Sequence, residues 1–196
     1  MTSDRAGAPQ PERFSPRKAA MLEDPARLAW LPTADVLELL DLAEGATVVD
    51  FGTGTGFYAR EIARARPDVT VIAHDEQPAM LAKLHDTLER EPLPNVVPTD
   101  PETLPARGPQ ARVLAINVLH ELGDRALDEI VALLDRGGRL VVIDWRGDRD
   151  RPVGPPRDHV LTPAAAGERL AVAGLTVRET RDFPYHYAIV AERGGD

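Results

Sequence analysis

Residues 48–56 read VVDFGTGTG, an acid followed by glycines at alternate positions, Gly52, Gly54 and Gly56. Glycine accepts positive φ and lets a ligand approach the backbone closely, so this stretch is suited to close contact. A dinucleotide loop, G-x-G-x-x-G, needs its third glycine one residue later, where Phe57 stands. A nucleoside-triphosphate loop needs Lys then Ser or Thr, and here Phe57-Tyr58 follows. Neither polyphosphate pattern fits.

Further candidates lie downstream. Asp75, in VIAHDEQPAML, ends a β-rich run, where a carboxylate can accept hydrogen bonds from both hydroxyls of a ribose. Asp100, in NVVPTD, either accepts from the exocyclic amine of a base or forms a turn before Pro101. His120, Glu121 and His159 can contact a substrate or take a proton from a nucleophile. His120-Glu121 is not a zinc-helix motif, because the second histidine of H-E-x-x-H is replaced by Asp124. No metal site is expected. Trp145, Tyr58 and Phe14 are aromatics able to line an apolar pocket, while Tyr185, His186 and Tyr187 read as structural, with His186 facing away from the tyrosines.

These groups must be positioned by regular elements. Thr33 is suited to cap a helix stopped by Gly45, and Thr47–Phe51 follows as a β-branched strand. A helix is predicted over Phe57–Ala65, a strand over Val69–Ala73, and a helix from Pro78 burying Leu81, Leu84 and Leu88. A short strand lies near Val96–Val97, and Val113–Val118 is apolar throughout, as for a strand covered on both faces. Leu127, Ile130, Val131 and Leu134 give a helix stopped by Gly137-Gly138, followed by the strand Leu140–Ile143. Thr162-Pro163 starts a last helix, which Gly174 stops, before strands Leu175–Glu179 and Tyr185–Ala191. Such alternation gives a mostly parallel α/β sheet with helices on both faces.

The 196 residues suffice for one domain. We divide the chain into residues 1–31, an extension that is poorly ordered to residue 16 and then forms two short helical pieces, and residues 32–196, the main domain. No apolar run reaches the ~20 residues of a membrane span, and the N-terminus carries no apolar signal core, so a cytoplasmic protein without membrane insertion is expected. There are no cysteines, and hence no disulfides or thiol chemistry. The net charge of −9 disfavours a nucleic-acid partner. Only Lys18 and Lys83 are lysines, and the arginine clusters 146–151 and 178–181 are diluted by acids, which reads as a mixed-charge surface.

In their order and spacing, D50-x-G52-x-G54-x-G56, Asp75 and Asp100 resemble the class I S-adenosylmethionine-dependent methyltransferases. VIAHDEQPAML, INVLHEL and LLDRGGRLVVIDW are similar to segments of the ubiquinone/menaquinone-biosynthesis type branch and its small-molecule relatives. The resemblance spans roughly residues 30–190. It implies a Rossmann-like, doubly wound, seven-stranded sheet whose last strand is antiparallel. The cofactor it implies is S-adenosyl-L-methionine, with S-adenosyl-L-homocysteine as product. Asp50 and the loop Gly52, Thr53, Gly54 and Gly56 would border the methionine part. Asp75, with Glu76 beside it, would hold the ribose, Asp100 the adenine amine, and Asn117 would lie by the transferred methyl. His74 and Thr99 depart from the common pattern next to the two acids.

The expected activity is in-line methyl transfer to a small-molecule acceptor. The domain carries no large inserted cap, so residues 10–31 and 145–160 must recognise the substrate, with the N-terminal segment as a possible lid. Protein or RNA methylation, and a catalytically idle cofactor-binding module, are the competing readings. A nicotinamide oxidoreductase is disfavoured by the glycine spacing. Neither the acceptor atom nor the oligomeric state is encoded in these motifs.

Overall fold

The computed structural model describes residues 14–195. The expected disorder of residues 1–16 therefore falls mostly outside the described residues. Seven strands form one sheet: β1 (Thr47–Phe51), β2 (Thr70–His74), β3 (Val96–Thr99), β4 (Gln110–Ile116), β5 (Leu134–Trp145), β6 (Leu175–Asp182) and β7 (His186–Arg193), ordered β3-β2-β1-β4-β5-β7-β6. Strands β1 to β5 pair in parallel, and β7 runs antiparallel between β5 and β6. Strand β1 has β2 on one side and β4 on the other, so the direction of winding reverses there. Ligands bind outside the carboxyl ends of strands at such a switch point.

The helices are α1 (Arg27–Trp30), α2 (Thr33–Leu40), α3 (Phe57–Ala65), α4 (Pro78–Arg90), α5 (Asp124–Leu133) and α6 (Pro163–Val172). Alternate strand residues feed two cores. Val48, Val71, Leu114 and Val141 pack with Val36, Leu39, Ile62 and Leu84 on one face. Val49, Ile72, Val113 and Val142 pack with Leu127, Ile130, Ala166 and Leu170 on the other. Both faces are thus covered, which is why the inner strands read as continuous apolar runs.

Several boundaries differ from the sequence expectation. Thr33 is the first residue of α2 and not its cap; Pro32 occupies the cap position, and the buried Thr33 hydroxyl has no partner. Helix α2 stops at Leu40, where Asp41 turns left-handed (φ 49°), four residues before Gly45. Two arginines satisfy its terminal carbonyls: Arg112 donates to Leu40 O (2.8 Å) and Asp41 O (3.2 Å), and Arg139 donates to Leu39 O (3.3 Å). Those long-range partners remove the need for a glycine at the helix end.

Similarly, α5 ends at Leu133, before Gly137-Gly138. Leu134 pairs with Gln110 and Arg139 with Arg112, so the glycine pair lies in a bulge of β5. A Cβ at Gly138 would lie 2.8 Å from Asp135 O and 3.0 Å from Gln110 O. The apolar run 113–118 also ends early, because Asn117 (φ 59°) leaves the strand direction after Ile116. Thr162 caps α6 as expected, accepting the N–H of Ala165 at 3.2 Å. Residues Pro16–Glu23 and Arg27–Trp30 are the two short helical pieces, the former a 3-10 helix.

Candidate functional site at the carboxyl edge of the sheet

The loop from β1 to α3 is tied by its own amides. Gly52 and Thr53 both donate to His74 O at 2.8 Å, Gly56 donates to Thr53 O at 2.9 Å, and Gly54 donates to Asp75 Oδ2 at 2.8 Å. Gly52, Gly54 and Gly56 all have positive φ, from 58° to 78°. A Cβ at Gly52 would lie 2.6 Å from Val118 Cγ1, and one at Gly56 would collide with Leu84 Cδ1. Gly52 and Gly56 therefore let the loop pack down on the turn after β4 and on α4. Their amides are largely committed inside the protein, whereas a phosphate cradle needs them pointing at the ligand.

Carboxylates dominate the same edge. Asp50 is buried and receives the Thr53 hydroxyl at 2.6 Å. Burial raises its pKa to about 6; the Thr53 hydrogen bond opposes that rise, Asp75 adds to it and Arg27 opposes it. Asp75 is buried as well, and its Oδ1 accepts the Gln77 N–H at 2.8 Å. Its two oxygens thus each accept a backbone N–H, which fixes the carboxylate at the end of the glycine loop. Asp75, Glu76 and Asp100 line one cleft of about 320 Å³ together with Pro78, Leu81, Ala82, His85 and Pro101.

Asp100 is exposed and closes a turn, accepting the Thr103 N–H and hydroxyl, each at 2.8 Å. Those hydrogen bonds hold its pKa below the usual carboxylate range. The turn reading of Asp100 is thus realised, and the residue also borders the cleft. The unusual pair His74 and Thr99 join the strand ends, with His74 Nδ1 3.0 Å from Thr99 O. His74 also packs its ring 4.8 Å from Phe51, and burial lowers its pKa. Asn117 follows β4, and its Oδ1 is buried without a partner.

S-adenosylmethionine fits this set of groups. The edge offers acceptors, namely Asp50, Asp75 and the orphaned Asn117 oxygen, to a ligand with an ammonium, a sulfonium and two ribose hydroxyls. A diphosphate would meet two buried carboxylates instead, a repulsion strengthened by the low local dielectric.

The two candidate histidines part company. His120 sits in a 3-10 turn, Leu119–Glu121, and its Nδ1 lies 2.8 Å and 3.0 Å from the two oxygens of Asp144. Burial lowers its pKa, yet Asp144 and Glu121 outweigh burial and Arg151, leaving it above the ordinary imidazole range. Asp144 ends β5 and is itself buried. Sequence reasoning passed over it, although it carries the signal that picked out Asp75: an acid ending a buried strand. His159 is exposed in a turn, Arg157–His159, of the loop after β5.

The aromatic residues are placed differently from one another. Trp145 stacks on the buried His186 (centroids 4.1 Å) and lies under Arg151 (5.4 Å). Tyr58 is core, its hydroxyl donating to Leu31 O at 3.1 Å. Phe14 begins a strap over the edge: its N–H donates to Glu121 Oε2 (2.9 Å), and its carbonyl accepts from Gln77 Nε2 (3.3 Å). Leu22 comes next to Gly54, Glu23 pairs with Arg60, and Arg27 lies over the Phe57 and Tyr58 rings, 4.9 Å from each.

Most arginines of the two clusters pair with acids, while Arg151 donates to the carbonyls of Arg146, Val153 and Pro155. Arg146 pairs with Asp148 and Asp182, Arg149 with Asp182, Arg178 with Glu192, and Arg181 with Glu38 and Glu179. Among the described residues no group of three or more His, Cys, Asp and Glu could hold a metal, and no helix is long and apolar enough to cross a membrane.

Comparison with known proteins agrees with this fold. Residues 48–138 match the family described as a methyltransferase domain. A crystal structure of an S-adenosylmethionine-dependent methyltransferase from Aquifex aeolicus is 28% identical, with a TM-score of 0.82 over 92% of this chain and 99% of that one. The [4+2]-cyclase SpnF superposes with a TM-score of 0.70 at 18% identity, over 84% of this chain and 80% of that one. An O-methyltransferase family protein from Burkholderia thailandensis gives 0.68 at 20% identity, over 91% of this chain and 60% of that one. The latter two likenesses show the fold alone. No curated protein matches by sequence. The matched methyltransferase domain and the seven-stranded Rossmann-like sheet indicate S-adenosylmethionine-dependent methyl transfer on the class I fold.

Proposed function

We propose that the methyl group goes to a small-molecule acceptor bound between the loop 145–160 and the strap of residues 14–31. The observation that carries this reading is the strap itself. By bonding Glu121 and Gln77 from one residue, Phe14, it spans the edge from β4 to β2 and narrows the entrance. A folded protein or an RNA duplex needs an open surface, and the pairing of Arg146, Arg149, Arg178 and Arg181 with acids weakens the case for RNA.

In this reading Asp50 faces the methionine ammonium, with Gly52, Thr53, Gly54 and Gly56 beneath it. Asp75 and Glu76 take the ribose, Asp100 borders the adenine, and Asn117 lies beside the methyl. When bound, the cofactor supplies an electrophilic carbon on a good leaving group. The protein's part is then to align the nucleophile and exclude water, and alignment alone is worth up to roughly 7–11 kcal/mol. In this reading His120 takes the acceptor proton and His159, on the loop 145–160, contacts the acceptor. Likeness to the small-molecule relatives of the ubiquinone/menaquinone branch supports the choice of acceptor class.

The test is a transfer screen over small-molecule acceptors, read by product mass, alongside calorimetry with S-adenosylhomocysteine. Tight binding without transfer to any small acceptor, but with transfer to a protein or RNA fraction, would replace this acceptor class. Tight binding without any transfer would favour an idle binding module.

A further inference from the structure

The Asp144 carboxylate serves His120 twice. Its Oδ2 accepts the His120 backbone N–H at 3.0 Å, and both oxygens face the ring nitrogen Nδ1, at 2.8 Å and 3.0 Å. Its Oδ1 also accepts the Trp145 N–H at 2.7 Å, which fixes the carboxylate on the end of β5. Two carboxylate contacts at Nδ1 require a hydrogen there, since an ionised carboxylate only accepts. In the neutral ring the lone pair is then on Nε2. Nε2 faces Glu121 Oε1 at 3.6 Å, beyond hydrogen-bond distance, and Glu121 is held by the Phe14 N–H.

We propose that Asp144 is a positioning residue that holds His120 as the Nδ1–H tautomer, leaving Nε2 to deprotonate a protic acceptor, a hydroxyl or an amine. The inference rests on the methyl-transfer reading and narrows its acceptor. As the acceptor oxygen or nitrogen bonds to the methyl carbon, its proton passes to Nε2. The electron pair of the breaking sulfur–carbon bond stays on sulfur. The imidazolium so formed lies against Asp144 and later yields its proton to water. The charged groups facing His120 are Asp144 from β5, Glu121 from its own turn and Arg151 from the following loop. Acceptors that need no deprotonation, such as thioethers, have no use for this pair.

The first test needs no acceptor. Long-range proton–nitrogen NMR of the full chain with S-adenosylhomocysteine should show neutral His120 protonated on Nδ1 and bare on Nε2, with Asp144→Asn losing that preference. A wild-type ring protonated on Nε2 overturns the proposal. The second test compares phenol with 4-nitrophenol, which is largely ionised in mildly alkaline buffer. Asp144→Asn and His120→Gln should lower kcat with phenol on the order of 10²-fold or more, and with 4-nitrophenol only a few-fold. Equal losses on both acceptors reduce the pair to a structural tie. Should neither phenol react, the NMR result decides, and if Asp144→Asn fails to fold, His120→Gln carries the comparison. Calorimetry separates the two levels of inference: wild-type protein that does not bind S-adenosylhomocysteine defeats the methyl-transfer reading, whereas binding unchanged in Asp144→Asn keeps cofactor and base effects apart.

Discussion

Asp75 accepts the backbone N–H of Gly54 at 2.8 Å across a separation of 21 residues. The carboxylate assigned to the ribose is therefore also a strut of the glycine loop. Asp75→Ala should weaken S-adenosylhomocysteine binding and destabilise the fold by about 1.5–3 kcal/mol, the range for a hydrogen bond to a charged group. Asp75→Asn keeps the shape but only one acceptor oxygen, so its NH2 would face one of the two N–H donors, and it should recover part of the stability and less of the affinity. Calorimetry together with urea unfolding measures both, and unchanged affinity in Asp75→Ala would remove the ribose assignment.

Asp50 makes cofactor binding depend on pH. Burial raises its pKa to about 6 in the free protein. A carboxyl raised on folding favours the folded state most below its unfolded value, and that contribution is lost as pH rises through about 6. A bound cation reverses the preference by stabilising the carboxylate. Affinity for S-adenosylmethionine should then be level above pH about 6 and fall below it, with up to one proton released on binding. Calorimetry in buffers of different ionisation enthalpy detects that proton, and Asp50→Asn should abolish the release.

His186 should limit stability in acid. It is buried with both ring nitrogens unpartnered, and burial pushes its pKa down to about 4. A histidine lowered on folding supports the fold fully above its unfolded value and loses that support as pH falls through about 4. The loss amounts to on the order of 3 kcal/mol between those limits. His186→Phe should flatten the dependence of urea midpoint on pH across this window. A dependence as steep as in the wild type would assign the acid sensitivity to other groups.

The strap should slow ligand exchange. Leu22 lies beside Gly54, and a Cβ on that glycine would come 3.1 Å from Leu22 Cδ1. Removing residues 1–23 spares Leu31, which is core, and should speed S-adenosylhomocysteine dissociation and reduce turnover. Stopped-flow displacement measures the first and the transfer assay the second. Rates equal to those of the intact chain would mean that the segment is no lid.

Much of the fold was legible because its signals are local. A β-branched run, a proline at a helix start or an i, i+3, i+4, i+7 stripe records what its own neighbours bury, and VVDFGTGTG announced its own close packing. The misplaced boundaries have a different origin. Helix α2 ends at Leu40, well before Gly45, because Arg112 and Arg139, some seventy to a hundred residues away, satisfy its carbonyls. Gly137-Gly138 serve a bulge against Gln110, not a helix end.

The site divides along the same line. Glycine spacing excluded the phosphate loops, and the order of Asp50, Asp75 and Asp100 pointed to the cofactor, since each acid ends a strand and the sheet edge collects strand ends. What no spacing could supply was which side chains face each other across that edge. The sequence by itself determined the sheet, the loop and the acids able to meet a cationic nucleoside. Only the tertiary structure decided that Asp144, twenty-four residues beyond His120, fixes its ring, and that Phe14 reaches Glu121. For the first, the physical reason is that pairing of β4 with β5 brings those strand ends together, and register is a property of the packed sheet; for the second, it is docking of the N-terminal strap on that edge, which no local pattern encodes.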